Sequence, residues 1–222
     1  MKKLTILISG LLLLGASTYA QAVRDRNVIP LAVNLNEVLR MTITDGGNIE
    51  FTFNSIDDYR FGISGDAATS GSSNPNTSDP MYVSNFTVAS STRWELSYGA
   101  EEATFIGTDN PANTLTLDNV GFSLTSNGTH TLGTEVTSAP TVDGAQVSAL
   151  EQFPIVLITD NGNIASSAGD VTDNDFTITW RCGTAEVGGA PATMNPTVLL
   201  EQNPSPTPDR YIVNVLFELA SL

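Results

Sequence analysis

Residues 175–182, "DFTITWRC", decide the fold class. Phe176, Ile178, Trp180 and Cys182 alternate with Thr177, Thr179 and Arg181, and a period of two marks a strand with one apolar face. The same grammar recurs on both sides. "IPLAVNLNEVLRMTIT" (29–44) sets Leu31, Val33, Leu35, Leu39, Met41 and Ile43 on one face, and Glu37 interrupts it at a bulge or a break into two strands. "DGGN" (45–48) predicts a tight reversal into "IEFTF" (49–53). "MYVSNFTVAS" (81–90) and "RWELSY" (93–98) predict a second hairpin with Trp94, Leu96 and Tyr98 on one face.

Further strands are expected in "TLTLDNVGFSLTS" (114–126), "HTLGTEVT" (130–137), "FPIVLIT" (153–159) and "NPTVLLEQ" (195–202). The 153–159 run is apolar enough to be central in a sheet. "NSIDDYRFGI" (54–63) reads as a helical turn or an irregular crossing. Short strands between Asn/Asp/Gly/Pro clusters predict an all-β, antiparallel β-sandwich, immunoglobulin-like or jelly-roll-like, with minor helix. One domain over residues 23–222 is expected, with a long exposed loop at 64–80, "SGDAATSGSSNPNTSDP".

"MKKLTILISGLLLLGASTYAQA" (1–22) reads as a secretory signal peptide. Lys2 and Lys3 precede an apolar run too short to span a bilayer, and Ala20-Gln21-Ala22 is a small-x-small cleavage site. Its removal predicts a secreted, surface or periplasmic protein with no membrane insertion. Both lysines leave with it. Seven arginines then face 24 acids, a net charge of −17, which repels phosphate backbones and argues against nucleic acid as a partner.

Three scarcities narrow the chemistry. A mature chain without lysine has no Schiff-base nucleophile. One cysteine, Cys182, allows no intrachain disulfide, and one histidine, His130, allows no multi-histidine zinc site. Cys182 shares the face of Trp180 and reads as a small core residue. His130 follows a turn, and no Gly-x-Ser-x-Gly elbow accompanies it. No acid pair stands out by spacing as a glycosidase pair. No catalytic residue is assigned, and a non-enzymatic protein is expected.

Asp170, Asp173 and Asp175 in "GDVTDND" (169–175) are hard oxygen ligands of the kind that suit calcium on extracellular β modules. A solvated Asx turn is the competing reading. The turns "TDNGN" (159–163) and "TDNP" (108–111) resemble it. Trp94, Tyr98, Trp180, Tyr59 and Tyr82 are the candidates for a sugar-stacking platform, although both tryptophans continue apolar faces and read as core.

The chain closes on "RYIVNVLFELASL" (210–222), where Tyr211, Val213, Val215, Phe217 and Leu219 share one side. Such a strand either closes its own sheet or supplies a strand to a neighbouring copy. The Thr/Asn-rich strands over residues 23–222 and this ending are similar to Bacteroidota-type secreted β-sandwich surface and pilin-like proteins. The likeness is architectural, without a diagnostic motif. It implies an exported structural, adhesive or fibre-forming surface protein whose partner is itself, through strand exchange. The lipobox cysteine of such pilins is absent. The alternative expectation is an extracellular glycan-binding module.

Overall fold

The computed structural model describes residues 29–64, 82–138, 146–162, 166–186 and 192–222. The signal-like stretch 1–22, and the expected loop beyond Ser64, lie outside these residues. Compactness divides the chain between Leu35 and Asn36. Residues 29–35 carry no regular secondary structure. No helix among the described residues is long and apolar enough to cross a membrane.

From Asn36 onward the regular structure of the described residues is predominantly β, with minor helix. In chain order the strands are β1 (Leu39–Asp45), β2 (Ile63–Ser64), β3 (Val83–Ser90), β4 (Trp94–Ala100), β5 (Thr104–Gly107) and β6 (Thr114–Thr116). They continue as β7 (Val120–Ser126), β8 (Val136–Ser138), β9 (Ser148–Ala149) and β10 (Ile155–Asp160). The last are β11 (Gly169–Cys182), β12 (Tyr211–Ile212) and β13 (Val215–Ser221). A single turn of helix, α1 (Ile56–Phe61), precedes β2; Ser55 and Asp58 cap each other's backbone N–H groups at its start.

Among the described residues the strands form three sheets, and the named strands pair antiparallel throughout. The first sheet runs β1-β3-β11-β7-β9, with β2 added to β11. The second runs β13-β4-β10-β8, and the third is β12-β5-β6. The deciding stretch is the middle of the first sheet: Phe176 lies opposite Phe86 of β3 on one side and Ser126 of β7 on the other. The expected centrality of β10 also holds, since it lies between β4 and β8.

Alternation puts one row of the longer strands into a shared core. Phe86 and Val88, Trp94, Leu96 and Tyr98, Phe122 and Leu124, Leu157, and Phe176 and Ile178 are all essentially inaccessible. Rings from the first sheet meet rings from the second. Phe176 contacts Trp94 edge-on at 6.1 Å, Phe122 contacts Tyr98 at 5.0 Å, and Phe86 lies 6.2 Å from Phe217. These contacts combine apolar burial with the offset and edge geometries aromatic rings prefer. The buried polar groups of Trp94 are satisfied: its indole N–H donates to the Ser167 carbonyl at 2.7 Å, and its backbone N–H to the Ser167 hydroxyl.

Three local expectations are corrected. The Asp-Gly-Gly-Asn turn does not make a hairpin. Gly46 instead lies against β3, where the Ser84 hydroxyl donates to its carbonyl at 2.6 Å. Gly46 has φ +68°, and a Cβ there would stand 1.9 Å from the Val83 carbonyl oxygen. Residues 49–53 keep their alternation, with Ile49, Phe51 and Phe53 half-buried on the core, but no ladder forms. Phe51 stacks on Tyr82 at 4.8 Å. Side-chain burial satisfies that segment without a partner strand.

The β3–β4 pair is not a hairpin either. The chain crosses at Ser91–Arg93 from the first sheet to the second. Both strands have a fully buried row, and rows of that kind are covered by facing one another rather than by lying side by side. Finally, residues 195–202 form no strand; Leu199–Glu201 is a 3-10 turn that buries Leu199. Its segment helps to cover the outer face of the first sheet. There Arg181 is buried against Glu186 with an N–O distance of 2.7 Å, although alternation placed it on the polar side. The opposed charge is what makes that burial tolerable.

Candidate functional site

The edges of the two larger sheets differ from their interiors. Among the described residues, β13 ends the second sheet, with β4 as its one neighbour. The Asn214 carbonyl accepts from the Glu101 N–H at 2.8 Å, and the Leu222 N–H donates to the Arg93 carbonyl at 2.9 Å. Register is constant between them. Residues of an antiparallel strand alternate in the direction of their backbone groups, so Leu216, Glu218 and Ala220 bond β4. Val215, Phe217, Leu219 and Ser221 send their N–H and C=O groups to the open side.

The same reasoning applies to β1, which ends the first sheet. The Ser91 N–H donates to the Val38 carbonyl at 2.9 Å, so even-numbered residues of β1 face β3. Leu39 and Met41 then turn their backbone groups outward. β1 and β13 lie near one another. Both carry apolar rows that touch the core and are only half covered: Leu39, Met41, Val215, Phe217 and Leu219. This flank combines unpaired backbone with partly wet apolar side chains, the two properties that make a sheet edge able to accept another strand.

The expected assembly row of the last strand is split. Tyr211 belongs to β12 and pairs with Gly107 in the third sheet, whereas Val215, Phe217 and Leu219 belong to β13. Val213 lies between them. Asp209 is the anchor of that change of sheet. Its carboxylate accepts from the backbone N–H groups of Asp109, Asn110 and Arg210 and from the Asn113 amide at 2.8–3.2 Å. Those bonds hold the carboxyl below the usual carboxylate range. The 108–111 turn is thus tied down by a distant aspartate.

The acid-rich loop before β11 is built from its own hydrogen bonds. Asp170 accepts from the N–H and hydroxyl of Thr172, each at 2.7 Å. Asp173 accepts from the Thr129 hydroxyl at 2.6 Å and the Asp170 N–H at 3.0 Å. Hydrogen bonds of this kind, first from Thr172 and Thr129, lower both carboxyls. Asp175 lies opposite Thr87 of β3. Among the described residues no group of three or more His, Cys, Asp or Glu side chains is placed to hold a metal ion. His130 packs at this end, with Nδ1 3.0 Å from the Asn174 Oδ1.

Cys182 is at the other end of β11. Eight residues separate it from Asn174, roughly 26 Å of strand, so the histidine and the thiol are far apart. Burial pushes the thiol up to about 12, which leaves it protonated and inert at neutral pH. The aromatic candidates are likewise interior. Trp94, Tyr98, Trp180 and Tyr82 are buried, and the Trp180 indole donates to the Ser84 hydroxyl at 3.0 Å. Tyr59 is half-buried and contacts Phe53 at 5.2 Å.

The alternation of residues 29–44 predicts one strand face, interrupted at Glu37 by a bulge or a break into two strands. The structure starts the strand at Leu39, and residues 29–38 have no strand assignment. Ile29, Leu31, Val33 and Leu35 are 88%, 90%, 74% and 91% exposed. Glu37 was the signal: with Val38 it is held at the β3–β4 crossing, where the Thr92 hydroxyl donates to its carboxylate. Neither a protein-family model nor a curated protein sequence matches the chain.

Proposed function

We propose that this is an exported, non-catalytic structural protein that joins copies of itself into a surface fibre or layer, built on a two-layer β-sandwich. The observation that carries this reading is the open flank formed by β13 and β1. An edge that offers outward N–H and C=O groups beside half-covered Val215, Phe217 and Leu219 is a template for strand addition. Natural edges are commonly blunted with lysine, proline or a covering helix, and β13 contains neither residue. Ring contacts between the first two sheets support the two-layer arrangement. A strongly acidic chain stays soluble until a specific partner docks.

Assembly of the exported protein, followed by light scattering and electron microscopy, tests the reading. Polymers are expected. Leu219→Pro removes one outward N–H and is expected to suppress them, whereas Leu219→Ala loses the same side chain, keeps the N–H and assembles better. A strictly monomeric protein at high concentration overturns the proposal.

A further inference from the structure

The open edge needs an occupant, and the same chain contains a segment that fits one. Residues 29–35, "IPLAVNL", alternate Ile29, Leu31, Val33 and Leu35 with Pro30, Ala32 and Asn34. All four large apolar side chains are exposed, by 74% at the least. Isolated exposed leucines are ordinary, but an uninterrupted alternating row of four is an apolar strand face without a sheet. We propose that residues 29–35 of one copy add as a strand to the free edge of β13 in a second copy, a donor role that rests on the assembly reading above.

Length, polarity and charge agree with that placement. β13 spans seven residues, and 29–35 is a run of the same length. Pro30 lacks an N–H, so in an added strand it must belong to the set of residues whose backbone faces away from the acceptor. Ile29, Leu31, Val33 and Leu35 then bond β13. Hydrogen-bonded partners share a face, so these side chains fall on the same side as Val215, Phe217 and Leu219 and cover the row that is half wet. One choice, dictated by the proline, satisfies both backbone and side chains.

Charge adds attraction. Residues 23–35 carry Arg24 and Arg26 against Asp25. From Asn36 onward five arginines stand against 23 acids, so the donor end is the cationic end of an acidic molecule. A second copy is the natural acceptor.

The experiment uses the exported protein. Leu31→Asp with Val33→Asp places carboxylates in the apolar contact, and it is expected to raise the concentration needed for assembly by about tenfold or more without shifting Tm. Separately, protein carrying Val33→Cys is mixed with protein carrying one cysteine at Val215, Phe217 or Leu219. A mixed disulfide dimer at one of these positions supports the donor assignment. Polymers that survive the double aspartate variant but are lost with Leu219→Pro overturn the assignment and leave the assembly reading standing. A monomer under all conditions overturns both. So does a disulfide that forms only within one molecule when both cysteines share a chain.

Discussion

β11 and β13 are alternating strands of nearly the same grammar, yet they end in opposite environments. β11 carries Phe176, Ile178 and Trp180 inward and has β3 and β7 on its two sides. Its inward side chains are at most 6% exposed. β13 carries Val215, Phe217 and Leu219 inward and, among the described residues, has β4 on one side only. Its inward row is half-buried. A period of two therefore selects a face. The number of neighbours decides whether that face becomes dry. At the centre, burial is spent on stability within the molecule, and at the flank it is left available for association.

The largest expected effect lies at the centre. Phe176→Ala removes a ring packed 5.4 Å from Phe86 and 6.1 Å from Trp94, and it is expected to cost about 3–5 kcal/mol, read as a fall in the midpoint of urea unfolding. A loss no greater than that of an edge residue would break the contrast drawn between β11 and β13.

Next is Asp160, at the end of β10, whose side chain is fully buried. Burial alone would raise its carboxyl, but donors from the Ser167 backbone and hydroxyl, the Gly162 N–H and Arg93 outweigh this and hold it low. Those bonds also fix the segment whose Ser167 satisfies Trp94. Asp160→Ala is expected to cost about 2 kcal/mol at neutral pH. A carboxyl with a depressed folded-state pKa contributes stability that is present above its unfolded value and lost as pH falls through the folded one. The gap between wild type and variant should therefore narrow on acidification below the ordinary aspartate range near 3.8. Denaturant melts from pH 7 down to pH 2.5 check this; a gap that widens in acid refutes it.

At the flank, Phe217→Ala removes a half-covered ring and is expected to cost about 1.5 kcal/mol, measured on monomer at low concentration. That figure should be clearly below the Phe176 value, and equality between them would mean that the flank is as closed as the centre. Smallest is Tyr98→Phe. The Tyr98 hydroxyl is buried without a hydrogen-bond partner among the described residues. Its burial, with the Glu151 charge, pushes the phenol pKa far up. Removing an unsatisfied hydroxyl loses no bond, so the change is expected to stay within about 0.5 kcal/mol and to favour the variant. A cost above about 1 kcal/mol would reveal a partner for the hydroxyl.

Much of this was legible from residues alone, because strand faces are local. Trp94, Leu96, Tyr98, Phe176 and Ile178 announced themselves by alternation, and all proved to be core. Glu37 marked the interruption, although the residues before it form no strand of their own. Two kinds of feature were not legible. Residues 49–53 alternate as a strand does but pack on the core without pairing. Arg181 looked outward by parity yet is buried, because a later segment bearing Glu186 folds over it. The first depends on the absence of a neighbouring strand and the second on how the chain just past β11 turns back over it, and periodicity contains neither.

The flank makes the same point for the candidate site. The terminal row could be seen in "RYIVNVLFELASL", but its division between two sheets at Val213 and Asn214 could not, nor could the open side of β13. By itself the sequence determined which side chains share a face, that the chain is acidic, and that it offers one thiol and one imidazole. Only the tertiary structure decided which strands became central and which edges stayed unpaired. The physical reason is range: side-chain alternation follows from the pleat of a few adjacent residues, whereas strand order is settled by summed burial among segments that meet only when the whole chain has folded.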